Sequence, residues 1–282
     1  MYVKAKKSLG QHFLKDIEIA ARIVEALELP ETTKDKSNTV EVGQSKTNVL
    51  EVGPGTGVLT QFLIKNPKID LTLVEIDSES VNYLNIHYPQ LGDTLIEDDF
   101  LQMDLDSMFN GKFMIIGNFP YNISSQIFFK VLEYREKVPQ IVGMLQKEVA
   151  QRLASPPGKK HYGILSVLLQ AWYDIEYLFT VEADSFIPPP KVQSAVIRVK
   201  RNSRTELGCD EALFKKIIKA TFNQRRKTIR NSIKPFISTL YTSEIPAGSL
   251  IIPESPLLAQ RPEQLSVEEF VQLTLLVEEI IK

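Results

Sequence analysis

Leu50-Glu51-Val52-Gly53-Pro54-Gly55-Thr56-Gly57 closes a short apolar run over residues 48–52 and opens an amphipathic one over 59–65. A glycine-rich loop acquires meaning in that context, between a strand and a helix. Its glycines let the backbone turn sharply and let a ligand approach with no side chain in the way. A tight turn with no ligand is the competing reading, and two later residues weigh against it. Glu75 ends the next apolar run, 22 positions after Gly53, where a carboxylate can accept hydrogen bonds from both ribose hydroxyls of a nucleoside. Asp99 ends the third and is followed by Phe100, so a carboxylate can take an adenine amino group while an aromatic ring covers the base; Asp98 is its immediate neighbour. Dinucleotide binding shares the feature at Glu75. The glycine spacing nevertheless lacks Gly-x-Gly-x-x-Gly, and none of the three histidines, His12, His87 and His161, falls at a strand end facing the loop.

Outward from this loop, apolar runs ending in turn residues alternate with amphipathic stretches up to about residue 200. Strands are predicted over 48–52, 71–76, 94–97, 113–117, 141–145, 175–179 and 195–200, and helices over 17–27, 59–65, 78–87, 124–135 and 147–155. Residues 162–172 read as a further buried helix that places Trp172 in the core. The alternation predicts an α/β fold with a Rossmann-like sheet. Beyond residue 200 the spacing is helical without intervening strands (211–222, 224–237, 267–281), which predicts a small all-helical domain over 201–282 after a catalytic domain over 1–200. The polar segment 31–48 reads as an exposed loop or irregular hairpin.

Asn118-Phe119-Pro120-Tyr121 follows the fourth strand, at the carboxyl edge where open α/β sheets hold ligands. These residue types suit methyl transfer to an exocyclic adenine amine. That nitrogen is a poor nucleophile because its lone pair is delocalised into the ring. The Asn118 side-chain oxygen and the Pro120 carbonyl can each accept one amine hydrogen, which orients the nitrogen and offsets the charge it gains. Tyr121 can stack on a base that has left its own stack. No general base is needed, since the protonated aryl amine loses its proton readily to water. A proline turn with a core tyrosine is the alternative reading of the tetrapeptide alone.

The composition, 43% hydrophobic and 24% charged, is that of a globular protein, and no stretch approaches the ~20 apolar residues of a membrane span. The lone cysteine, Cys209, excludes an intrachain disulfide and a cysteine metal site, and no metal site is otherwise apparent. Residues 1–10 carry Lys4, Lys6 and Lys7 with no apolar run behind them, so a cytoplasmic protein is expected. No oligomerisation element is evident, and a monomer is expected. The net charge of −2 is unevenly spread: residues 186–234 hold thirteen basic side chains against three acidic ones. A local basic segment on an acidic body is a footprint for phosphates, because docking follows the local field; a solvated charged face is the alternative.

The chain resembles the rRNA adenine N6-methyltransferase family, and within it the bacterial small-subunit rRNA adenine dimethyltransferases, over nearly its full length. The resemblance rests on Gly10-Gln11-His12-Phe13-Leu14, the glycine loop, Glu75-Ile76-Asp77, Asp99-Phe100-Leu101, and Asn118 through Ser125. It continues with Met144 through Ala150, Phe186-Ile187-Pro188-Pro189-Pro190-Lys191 through Val196, and Phe222 through Asn231. It implies S-adenosylmethionine as methyl donor, with His12, Leu14, Gly53, Gly55, Glu75, Asp99 and Asn118 forming its site. Asn is frequent in the family where this chain has His12, so a backbone contact is expected there. Phe186 is expected opposite Tyr121 as the second aromatic of a base clamp. The resemblance further implies two adjacent adenines in the 3′-terminal hairpin loop of 16S rRNA as substrate, each methylated twice, on a late, immature 30S subunit. Arg225, Arg226, Lys227 and Arg230 are expected to meet rRNA phosphates. Two departures stand out: the 31–48 loop is longer than the family's, and Phe119 stands where Leu is common. An Erm-type large-subunit rRNA methyltransferase shares the cofactor and tetrapeptide motifs and remains the nearest alternative. A mainly non-catalytic ribosome assembly factor is a second.

Overall fold

The computed structural model describes residues 3–30, 46–240 and 252–281. The loop expected over 31–48 thus lies, up to residue 45, outside the described residues. The strands are β1 (Phe13–Leu14), β2 (Thr47–Val52), β3 (Ile69–Glu75), β4 (Leu95–Glu97), β5 (Phe113–Asn118), β6 (Gln140–Gln146), β7 (Tyr173–Val181), β8 (Phe186–Ile187) and β9 (Ser194–Arg201). Helices α1 (Ile17–Glu25), α2 (Thr60–Leu63), α3 (Ser78–His87), α4 (Leu105–Met108), α5 (Ser124–Glu133) and α6 (Lys147–Leu153) are interleaved with them. Helices α7 (Ile164–Gln170), α8 (Glu211–Phe222), α9 (Ile229–Leu240) and α10 (Val267–Ile281) follow.

Seven strands form one sheet in the order β4-β3-β2-β5-β6-β9-β7. Neighbours from β4 to β6 run parallel, and β9 is antiparallel to β6, with Gly143 opposite Ile197. Phe113 to Gly117 on β5 are all buried, as a parallel strand covered on both faces requires. The chain leaves β2 towards β3 on one side and returns to β5 on the other. The crevice beyond the carboxyl ends of β2 and β5 is therefore the topological switch point, where such sheets hold ligands. Local capping sets the helices that face it: the Asp16 carboxylate accepts from Glu18 N and Ile19 N at 3.0 and 3.1 Å to open α1, and Asp77 caps α3.

Two compact units divide the chain: residues 1–150 with 174–201, and residues 151–173 with 202–282. This differs from the boundary expected at residue 200, because 151–173 groups with the later helices and not with the sheet. Within the second unit α8 buries Leu213, Phe214, Ile217 and Ile218, α10 buries Phe270, Leu273 and Val277, and Phe222 stacks on Phe270 with ring centroids 6.0 Å apart. Tyr162, from the earlier segment, lies against the Phe222 ring at 6.3 Å. Trp172 is buried, as expected. The helix expected over 224–237 starts only at Ile229. Gln224 to Lys227 form a turn instead, closed by Lys227 N donating to Gln224 O at 2.8 Å.

No periodicity announces the pair β1–β8, an antiparallel two-residue bridge that sets Leu14 opposite Phe186. It lays the segment before α1 across the carboxyl ends of the sheet.

Candidate active site

One cavity at the switch point is lined by residues 9–14, the glycine loop, Glu75, Asp98 to Leu101, and Asn118 to Ile123. Glycine is required twice over in the loop. Gly53 and Gly55 have φ of 69° and 57°, and a Cβ on Gly55 would come within 2.9 Å of the Phe13 ring. The Glu75 carboxylate is buried and holds the loop from below, accepting from Gly55 N and Asp77 N, each at 2.9 Å. Burial raises its pKa. Each oxygen keeps a second lone pair, so the group can still accept from a ribose. Asp99 Oδ1 accepts from Leu101 N at 2.9 Å, which fixes the turn carrying Phe100 to the cavity wall.

The segment before β1 is fastened over this cavity. Lys6 Nζ meets the Asp77 carboxylate, and Gln11 Nε2 donates to Asp77 Oδ2 at 3.2 Å. Asn122 Nδ2 donates to Ser8 O at 3.4 Å. Leu14 is buried, and His12 contributes its backbone: its carbonyl accepts from Asn118 Nδ2 at 3.0 Å. That bond decides how the amide is oriented. With its NH2 committed to His12, Asn118 keeps its Oδ1 free to accept a hydrogen from a ligand. Phe119 N donates to Met144 O at 2.9 Å, anchoring the tetrapeptide to β6, and the Pro120 carbonyl accepts from Ile123 N at 3.2 Å with a lone pair to spare.

Tyr121 lines the cavity and its hydroxyl bonds to Ser194 Oγ, at the start of β9. Burial raises the pKa of this phenol. The expected partner ring is elsewhere: Phe186 is 1% exposed and belongs to the core with Leu14 and Val196, and it does not line the cavity. The β1–β8 register, which sets Phe186 opposite Leu14, accompanies this inward placement. The ring that stacks on Tyr121 is the His12 imidazole, with centroids 5.2 Å apart, its Nδ1 bonded to Pro188 O at 2.8 Å. Phe186, expected as the second ring of the clamp, is thus buried beside the cavity and not on its wall. The signal for the His12 ring, the Gly10–Leu14 motif, was visible, but its position above Tyr121 was not.

Glu51 sits beneath the loop, buried, and accepts from Thr60 Oγ1 at 2.8 Å. Burial pushes its carboxyl up to about 8, and the nearby Glu75 charge adds to the rise. Between the ordinary value of 4.5 and about 8 the folded chain therefore retains a proton that the unfolded chain has released. Stability of the ligand-free protein falls as pH rises through that interval. Glu51→Gln keeps an acceptor for Thr60 and removes the titration, so its Tm is expected to vary less across the interval and to exceed the parent's at its upper end. Parallel melting curves would show that Glu51 is ionised throughout.

Comparison with known proteins follows the same line. The model of the family described as "Ribosomal RNA adenine dimethylase" matches residues 2–246. The chain belongs to that family. A relative from Parabacteroides distasonis named "Ribosomal RNA small subunit methyltransferase A" is 57% identical, covering 97% of this chain and 94% of its own. One of the same name from Bacteroides thetaiotaomicron is 55% identical over 99% and 96%. Among solved structures, a dimethyladenosine transferase from Plasmodium falciparum superposes with a TM-score of 0.74 at 23% identity, covering 95% of this chain and 98% of that one. The 23S rRNA methyltransferase ErmE gives 0.62 at 22%, covering 93% and 99%. Both share the fold. This rRNA adenine dimethylase is thus an S-adenosylmethionine-dependent methyltransferase with a Rossmann-like sheet. Among the described residues no helix is long and apolar enough to cross a membrane.

The basic segment is less open than its composition suggests. Arg198 pairs with Glu28 and Glu176, Lys200 with Glu28, and Arg201 with Glu136. Arg204 pairs with Glu268 and Arg230 with Glu254 at 3.0 Å. Arg225 donates to Lys160 O at 2.6 Å, with Glu263 at 3.8 Å. Arg226 and Lys227 remain exposed in the turn before α9, and Lys159 and Lys160 are exposed on the loop that Arg225 holds beside it.

Proposed function

We propose that this family member transfers methyl groups from S-adenosylmethionine to N6 of two adjacent adenines in the 3′-terminal hairpin loop of 16S rRNA, giving N6,N6-dimethyladenosines. It does so as a cytoplasmic monomer on a late, immature 30S subunit. The names of the Parabacteroides and Bacteroides relatives, at 57% and 55% identity over nearly whole chains, support the small subunit over the large one.

The observation that carries the chemistry is the Asn118 amide, held by the His12 carbonyl at 3.0 Å so that Oδ1 is left to accept. Asn118 Oδ1 and the Pro120 carbonyl take the two hydrogens of the adenine amine, which turns its lone pair towards the donor and compensates its developing charge. S-adenosylmethionine supplies the methyl group as a sulfonium whose charge disappears on transfer. Glu75 receives the ribose hydroxyls and Asp99 the adenine amino group, with Gly53 and Gly55 admitting the ligand to the backbone. Tyr121 stacks on the target base, which displaces or slides past the His12 ring. The helical unit carries the rRNA-binding surface.

The test is methyl transfer from labelled S-adenosylmethionine into undermethylated small subunits, with large subunits and free DNA in parallel, followed by nucleoside analysis. Dimethyladenosine in the small-subunit RNA alone is expected. Label in the large subunit would favour the Erm-type reading, and label in neither, with cofactor binding intact, would favour an assembly factor without catalysis.

Exposure shifts the expected phosphate contacts towards Arg226, Lys227, Lys159 and Lys160, while Arg225 and Arg230 act through their neighbours. Arg226→Ala with Lys227→Ala is expected to weaken particle binding and to lower the slope of log affinity against log salt by about one to two. S-adenosylmethionine affinity should not change. An unaltered slope would remove this turn from the interface.

A further inference from the structure

Among the described residues the only buried lysine or arginine is Lys130, in α5, 8% exposed. A buried ammonium persists where its donors are satisfied, and the partners here are specific. Nζ donates to the carbonyls of Leu101, at 3.1 Å, and Met103. It also faces the Phe100 ring, 5.5 Å from the centroid, and the Tyr134 ring at 5.7 Å. All these bonds land on or beside the turn that carries Asp99 and Phe100 into the cavity.

The turn buries the Phe100 and Met103 side chains, but few hydrogen bonds tie its backbone to the sheet. It follows β4, a three-residue strand at the edge of the sheet, which is tied on by Asp98 N donating to Glu75 O at 3.1 Å. Its own closure is local: Gln102 N and Met103 N donate to Asp99 O, and Leu101 N donates to Asp99 Oδ1. These bonds shape the turn but do not place it against the cavity. The carbonyls left over, those of Leu101 and Met103, are the ones Lys130 takes. Helix α5 begins three residues after Tyr121, so the helix that follows the catalytic loop also carries the anchor of the adenine-facing turn, six residues after its first residue.

We infer that Lys130 is a positioning residue for the adenosyl half of the cofactor site: its ammonium holds the 99–103 turn so that Asp99 and Phe100 are set for adenine before the cofactor arrives. The inference rests on the reading of Asp99 as acceptor for the adenine amino group. It predicts a loss that depends on that amino group, which a merely structural lysine would not produce.

The experiment measures binding of S-adenosylhomocysteine, and of its analogue with hydrogen in place of the exocyclic amino group, by titration calorimetry. The proteins are the parent chain, Lys130→Met, Lys130→Arg and Asp99→Ala, each checked by thermal melting. Lys130→Met is expected to lose about tenfold or more for S-adenosylhomocysteine and several-fold less for the analogue. Lys130→Arg, which keeps charged donors, should fall between it and the parent, and carries the same comparison if the methionine variant does not fold. In methyl transfer the KM for S-adenosylmethionine should rise while kcat stays within about threefold. Equal losses for both ligands, or no loss, would overturn the role of Lys130. If Asp99→Ala fails to discriminate the two ligands, the reading of Asp99 falls and the inference with it; if it discriminates and Lys130→Met does not, only the Lys130 inference falls.

Discussion

Asn118→Ala is expected to lower single-turnover methyl transfer by about a hundred- to a thousand-fold while changing the affinity for S-adenosylmethionine by less than about threefold, the range found when one acceptor or donor aimed at developing charge is removed. Asn118 ends β5 at the switch point, and its Nδ2 is occupied by His12 O at 3.0 Å. Its Oδ1 therefore serves the target amine, a group that gains positive charge only as the methyl arrives, so the interaction strengthens in the transition state and not before. Asn118→Asp separates this role from simple acceptance. A carboxylate can accept from the amine but cannot donate to the His12 carbonyl, and its repulsion from that carbonyl loosens the segment fastened over the cavity. It should therefore be impaired in turnover as well, with a larger loss of cofactor affinity than the alanine. Calorimetry for binding and single-turnover assays for chemistry give the two numbers; equal losses in both for Asn118→Ala would make it a cofactor ligand only.

The parts of this site that could be read from the sequence are those whose chemistry is local. The glycine loop, Glu75, Asp99 and the tetrapeptide each occupy the end of a strand, and in a parallel sheet the ends of β2, β3, β4 and β5 converge by construction. Knowing the strands was enough to know that these residues would meet, and the structure gathers them around one cavity. What escaped depends on partners far apart in the chain. The β1–β8 bridge joins Phe13 to Ile187 through two-residue strands too short to show periodicity, and with it went the inward placement of Phe186. Nothing in the sequence singles out Lys130 within the helix expected over 124–135. Its burial follows from the turn after β4 lying beneath α5, which no spacing announces. Charge counting also hides partners: of the thirteen basic residues within 186–234, Arg198 and Lys200 pair with Glu28, 170 or more positions away in the chain. The segment 151–173 is expected, as helix, within the catalytic domain over 1–200, yet it groups with the later helices, where Tyr162 lies against Phe222.

A second large effect is expected from a residue that touches no ligand. Gly117 on β5 and Gly143 on β6 are paired in register, and the Phe119 ring, 1% exposed, lies across both. A Cβ on Gly143 would fall within 3.0 Å of Phe119 ring atoms alone, whereas one on Gly117 would also meet the Val52 carbonyl at 2.5 Å. The ring has little room to yield, since Phe128 stands edge-on to it at 5.9 Å. Gly143→Ala should therefore cost about 1–3 kcal/mol by overpacking. Because Phe119 is joined directly to Asn118 and Pro120, a displaced ring also moves the two acceptors, and misplacement of about 1 Å costs about a hundredfold in rate. Leu, common at the position of Phe119 in the family, is shorter and should relieve the clash. Phe119→Leu alone is expected to remain active, and combined with Gly143→Ala to recover most of the lost stability and rate. The same Leu combined with Gly117→Ala should recover little, because the Val52 carbonyl is backbone and cannot move aside. Urea melts and initial rates on the two double variants decide it: equal rescue of both would mean that the glycines serve the sheet and not the seat of the Phe119 ring.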